Sequence, residues 1–420
     1  MYETTPSRRF AALHSRDYRR YFAYSLISMT ADNIEHVISY WVIFQAFHSP
    51  SLAGFAVISH WVPFLLFSVY AGALADRYDC RRLIQISQGL FMLASLAWGV
   101  LFLSGLLRMW HAVVILLLHG AAGVISAPAV QLIVYDMVGR DQLPSAIRLN
   151  ATSRYLAILL GPAVGGGLML LLGPAWGLLA NVLIYLPLTI LLIRLPYTGH
   201  SQHSTERRGT GGFGLGDALR LFAEVRADRR VVTMIVLGGA TAFFVGNAFQ
   251  AQMPEYAHHL GTDEAGVGYS VLLAANAVGA VIGALLLEGS NLLPPNARTA
   301  ILCAAAWAVT IGLFPAAPRY GPAVALLVLA GIFNIAFTSM AQTLVQLLAP
   351  PALRGRIVGL FNTAILGLRA GSGLTVGVLG AVIGVQWSLA LSAAAVLVIA
   401  GALLAYEGRR AEPVTRSTST

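Results

Sequence analysis

The chain has 420 residues, 57% hydrophobic and only 11% charged, with a formal charge of +9 and a mean hydropathy of +0.72. That composition excludes a soluble domain built on one core and points to a polytopic membrane protein. All 27 basic residues are arginine, so a Walker A phosphate loop and a Schiff-base lysine are excluded, which argues against an ATP-driven pump within this chain.

The arginines lie in short loops and tails between apolar runs. This fits the positive-inside rule rather than nucleic-acid binding. Cys80 and Cys303 offer no disulfide framework or metal motif. The first apolar run is too long and too polar for a cleaved signal peptide.

A cytoplasmic tail, residues 1–20, carries Arg8, Arg9, Arg16, Arg19 and Arg20. The first span, from Tyr21 to Phe47, is long enough to cross a bilayer as a helix. Asp32, Glu35 and His36 sit near its middle, spaced i, i+3, i+4 on one face, and Ser25, Ser28 and Ser39 extend that face as a polar stripe. Each intramembrane charge costs about 2.5–3.5 kcal/mol if lipid faces it. The stripe must therefore face a bundle interior, water or a cation. Two close carboxylates resist ionising together. An acid that alternates between charged and neutral inside a membrane is a candidate proton carrier, so Asp32 and Glu35 are assigned proton coupling. The alternative is a buried acid paired with an arginine for assembly alone.

A turn at His48–Ser51 leads to a second span, about Leu52 to Ala75, and a charged loop, Asp76 to Arg82. Spans follow at about Leu83–Leu103, Ala112–Tyr135 and Asn150–Leu172, and Gly173-Pro174 turns the chain into a sixth span ending near Arg194. Residues 21–195 form the first six-helix bundle. Residues 196–230 form a polar cytoplasmic linker, whose stretch Ala218–Val225 has the spacing of a surface helix. Six more spans, about Val231–Met253, Gly266–Leu287, Thr299–Ala317, Pro322–Gln346, Ile357–Ala381 and Val385–Tyr406, make the second bundle, residues 231–406, before a cytoplasmic tail at 407–420. A shift of 212 positions places Asn150 on Asn362, Gly161 on Gly373 and Gly165 on Gly377, as internal repeats would. The fold class is thus all-α, with about twelve transmembrane helices in two six-helix bundles.

The loop from Gly72 through Asp76, Arg77, Asp79, Cys80, Arg81 and Arg82 resembles the loop between helices 2 and 3 of the major facilitator superfamily. Asp79 resembles the enterobactin-exporter-like branch, and Cys80 departs from the pattern. The resemblance implies a cytoplasmic gate formed by Gly72, Asp76, Arg77, Arg81 and Arg82. In that reading Gly72 permits close helix approach and arginines pair with Asp76 and with lipid phosphates. The run Ala157-x-x-x-Gly161-Pro162-x-x-Gly165-Gly166-Gly167 resembles the antiporter motif of the same superfamily, which marks exporters more than importers. Small residues there let helices pack backbone to backbone, and Pro162 removes a helix hydrogen bond. Where drug/proton antiporters of the superfamily carry an arginine in helix 4, this chain has Leu116, with His119 three residues on. Arg154 or Arg369 is the expected replacement cation.

The expected substrate cavity draws on His36, Arg154, Asn247, Gln250, Asn334 and Arg369. His60 and His119 read as packed or hydrogen-bonded side chains. His258, His259, Asp263 and Glu264, in an external loop, match no named metal site, and neither a metal nor a cofactor is expected. No nucleophile–base pattern supports an enzyme. The expected function is proton-coupled efflux of a small amphiphilic molecule, a siderophore, drug or metabolite, across a bacterial inner membrane. Both termini are expected to be cytoplasmic. The expected partners are the substrate, protons and membrane lipids, with no nucleic acid and a monomeric chain. Import or lipid flipping on the same fold, or a sensor without transport, are the alternatives.

Overall fold

The computed structural model describes residues 11–200, 228–262, 266–290, 296–349 and 354–408. Those residues are helical, without strands. The stretch Ala218–Val225 and the acids Asp263 and Glu264 lie outside them.

Helix α1 spans Arg16–Phe47. The Ser15 hydroxyl caps it by accepting from the Tyr18 amide, and His48, in the left-handed region at φ 45°, ends it. Ser49 then caps α2, Pro50–Arg77, with Pro50 in its first turn. Helix α3 spans Cys80–Leu103 with Asp79 as its cap. One continuous helical run, Met109–Arg194, is broken only at Gly139 and Gly173, whose φ values of 67° and 78° suit glycine. It therefore holds α4 (Met109–Gly139), α5 (141–172) and α6 (174–194). The turn expected at Gly173 is present, but α5 starts well before Asn150, because Gly139 reverses the chain without a loop.

Helix α7 spans Arg229–Phe244. The sequence reading carried this span unbroken to Met253. It instead breaks at Gly246, φ 46°, and two short helices follow, Ala248–Ala251 and Met253–His259. Helices α8 (Val267–Ser290), α9 (Ala297–Leu313) and α10 (Tyr320–Leu348) come next. Helix α11 covers 354–383 and includes two π-helical stretches, Thr363–Gly367 and Gly373–Val378. Helix α12 spans Val385–Gly408.

Ten segments among the described residues are long and apolar enough to cross a membrane, one of them being α5 and α6 together. Helix α1 is not among them, since its polar stripe lowers its hydropathy. Counting α1, and α5 and α6 separately, the described spans are twelve.

The chain divides into two compact units, Met1–Gly212 with Thr262–Ala274, and Phe213–Gly261 with Ala275–Thr420. In the first, Tyr18, Tyr21, Ile84, Ile133 and Leu188 belong to one buried cluster. In the second, Met234, Ile301, Phe337 and Phe361 belong to another.

Candidate functional site

The polar stripe of α1 faces the interior of the first unit. Glu35 is the most enclosed of its charges, with its side chain 3% exposed. One carboxylate oxygen, Oε1, lies 2.8 Å from Nδ1 of His119 on α4. The other, Oε2, accepts from the Ser95 hydroxyl of α3 at 2.6 Å. Asn181 of α6 donates both to Ser95 Oγ at 3.1 Å and to the Ala31 carbonyl at 3.0 Å. Helices α1, α3, α4 and α6 thus meet in one chain of hydrogen bonds centred on Glu35.

Asp32 completes the cluster from one turn earlier. Its Oδ1 lies 3.2 Å from Nε2 of His119, an ion-pair distance without hydrogen-bond alignment. A single imidazole therefore stands between the two acids. Asp32 is 31% exposed and His119 only 7%, so the acids differ sharply in access. His36 directs its Nδ1 to the Asp32 carbonyl at 2.8 Å, and its ring lies 4.7 Å from that of His119 and 5.0 Å from that of His60 on α2. Glu35, His36, Ser39, Tyr40, His60, Trp98, Leu116 and His119 line a cavity of about 10 Å³, room for about one water.

The sequence placed the counter-charge on Arg154 or Arg369; within the first unit the side chain found beside both acids is His119. Leu116 and His119 lie one turn apart on α4 and line the same cavity. His60 and His119, set aside as packing residues, are functional candidates by position. The available signal was that each is an ionisable side chain inside a span. Arg154 is exposed on α5.

The antiporter-like run does what its small residues permit. A methyl group built on Gly161 would fall inside the contact distance of Asn33 Cβ, and one on Gly165 would lie 3.2 Å from Val37 Cγ1. Helix α5 thus lies directly on the turn of α1 that carries the acids. Pro162 is buried beside this contact, and Gly166 faces Ser270.

The loop between α2 and α3 differs from the expected pairing. Arg81 forks onto Asp79, with Nη2 at 2.6 Å and Nε at 3.1 Å, and also donates to the Leu195 carbonyl. Asp76, Arg77 and Arg82 are exposed. Asp79 wins because it caps α3 two residues before Arg81, where the planar fork reaches it without crossing the loop. Gly72 is not at a close helix approach, for an added methyl would meet nothing within 4 Å. The segment after α6 fastens the loop: Cys80 N–H donates to the Thr198 carbonyl at 2.9 Å, and Gly199 N–H to Asp136 at 2.9 Å.

Partial burial opposes ionisation of Asp79, but the hydrogen bonds from Arg81 outweigh it and hold the carboxyl below its usual range. Its contribution to stability is full above a pH of about 3.9 and is lost as pH falls through the lower folded value. Asp79→Ala is expected to cost about 1 kcal/mol, the usual worth of a helix cap. Asp76→Asn should leave stability nearly unchanged. Thermal unfolding of the purified variants at neutral pH checks both.

In the second unit, Asn247 and Gln250 lie just beyond the break at Gly246, and Asn334 is half-buried on α10. Arg369 is half-buried between the two π-helical stretches of α11. Such stretches frequently mark functional sites.

The transmembrane secretion effector family model matches residues 7–417. This chain belongs to that family. The transporter is similar to the enterobactin exporter of Shigella boydii serotype 4 (strain Sb227), 27% identical over 325 residues, which cover 75% of this chain and 73% of that one. It is also similar to the staphyloferrin A transporter of Staphylococcus aureus (strain NCTC 8325 / PS 47), 22% identical over 178 residues, 42% of this chain and 45% of that one. Among solved structures, the nucleoside transporter NupG aligns with a TM-score of 0.74 at 14% identity, covering 93% of this chain and 98% of that one. A bacterial homologue of the human lysosomal transporter Spinster, inward-facing and unoccupied, aligns at 0.70 and 14% identity, covering 95% and 98%. The fold is that of the major facilitator superfamily, and the protein is a multi-pass membrane transporter, not an enzyme.

Proposed function

We propose that this transporter exports a small amphiphilic molecule across the bacterial inner membrane in exchange for protons held by Asp32, His119 and Glu35. The single observation carrying the coupling is the His119 ring, 3.2 Å from Asp32 and 2.8 Å from Glu35. Asp32 is open enough to meet water, Glu35 is enclosed, and the imidazole between them has one nitrogen toward each. That is the arrangement a proton relay needs. The small cavity here has no room for an organic substrate. Arg154, Asn247, Gln250, Asn334 and Arg369 are proposed to contact the substrate elsewhere, with the arginines suited to anionic groups.

Outward flux is supported by the antiporter-like run of α5 and by the relative named as an enterobactin exporter. Enterobactin is therefore the first compound to test. The loop holding Asp76, Arg77, Arg81 and Arg82 is proposed as the cytoplasmic gate, the arginine distribution supports two cytoplasmic termini, and the chain is proposed to act as a monomer. In inverted vesicles, addition of enterobactin should drive proton release through the wild-type protein. The variant Asp32→Asn with Glu35→Gln should abolish it. Equal release from both proteins would remove the mechanism, and uptake only in the opposite sense would make the protein an importer.

A further inference from the structure

Three buried polar atoms of this cluster make no hydrogen bond: His60 Nδ1, and Asp32 Oδ1 and His119 Nε2, which face each other at 3.2 Å. Orphaned buried polar atoms are uncommon and call for a physical reason. Here they belong to α1, α2 and α4 and gather at one place. Donor nitrogens of His36, His60 and His119 lie within 4.8 Å of one another.

In His36 and His119 one ring nitrogen is already tied, which leaves the other with a lone pair in the neutral ring. A carbonyl only accepts, so His36 Nδ1 carries the hydrogen in its 2.8 Å bond to Asp32, and Nε2 is bare. His119 holds Glu35 through Nδ1, which leaves Nε2 bare in the neutral ring. A carboxylate behind a histidine is the usual outer support of a metal-bound imidazole.

We propose that His36, His60 and His119, with Asp32 as fourth ligand, bind one divalent transition-metal cation of the Zn²⁺ type. Three imidazoles and one carboxylate make a four-coordinate donor set that suits Zn²⁺ or Co²⁺ and disfavours Mg²⁺ and Ca²⁺. Nitrogens bound tetrahedrally at about 2.1 Å stand about 3.4 Å apart, so the rings close by roughly an ångström around the ion. The cavity of about 10 Å³ accepts an ion and little more. Two carboxylates, Asp32 and Glu35, match a double positive charge. Asp32 at 31% and His36 at 23% exposure supply the way in. The site depends on neither transport direction nor proton coupling. Metal and proton are alternative occupants of the same lone pairs.

The test uses the full chain, purified in detergent without a histidine tag and titrated with Co²⁺. One equivalent should bind and give the strong visible absorption of a tetrahedral ion. Zn²⁺ should displace it, and Mg²⁺ should not. His60→Gln should weaken binding by at least about 100-fold, and Glu35→Gln, which touches only the outer ring atom, by about 10–100-fold. Absence of the tetrahedral spectrum in the wild-type protein overturns the proposal without reference to any variant. So does unchanged affinity in a His60→Gln protein that remains monodisperse. Since no transport is measured, loss of proton coupling in vesicles leaves this result standing.

Discussion

His119→Leu strips the first unit of much of its stability. The substitution keeps bulk and apolarity but removes the imidazole between two carboxylates held 2.8 Å and 3.2 Å from it. Deleting one partner of a buried charge group costs about 3–5 kcal/mol, because the remaining charge stays buried and unpaired. Folded proteins have only about 5–15 kcal/mol in hand. The expected result is a large fall in monodisperse yield and in the thermal midpoint. Adding Asp32→Asn and Glu35→Gln to His119→Leu should restore most of the stability while leaving coupled transport absent. That restoration separates charge balance from simple packing, since all three proteins lack or retain nearly the same volume. A His119→Leu protein as stable as the wild type would show that the acids are neutralised by another route.

Gly161→Ala comes second in expected size, although it adds one methyl group. That methyl would enter the space of Asn33 Cβ, which cannot yield without moving the backbone of α1. Overpacking of this kind costs about 1–3 kcal/mol. Its functional effect should exceed its stability effect, because Asn33 sits between Asp32 and Glu35 on the adjoining positions of the same turn. Gly167→Ala is the control: an added methyl there meets nothing within 4 Å. It should keep wild-type transport and gain slightly from the better helix propensity of alanine. Transport rates and thermal midpoints of the two variants, measured side by side, decide the matter. Equal losses in both would remove the close α1–α5 contact as the cause.

The sequence by itself determined the local geometry. Hydropathy runs gave most of the spans, though not the break after α7 at Gly246 or the early start of α5, since the bilayer admits only long, largely apolar helices with satisfied backbones. The i, i+3, i+4 spacing placed Asp32, Glu35 and His36 on one face, because the helical repeat is fixed by backbone bonding. The glycine run of α5 announced a close helix contact. Tertiary structure alone decided the partners. His119 lies 84 residues from Glu35 and Asn181 lies 150 from Ala31, and no periodicity within a helix encodes which neighbour it will meet. The same holds for Asp79 taking Arg81 in place of Asp76, and for the gathering of three histidines from three helices around one small cavity. Side-chain chemistry names what a buried charge requires. Only the packing of distant helices settles which residue supplies it.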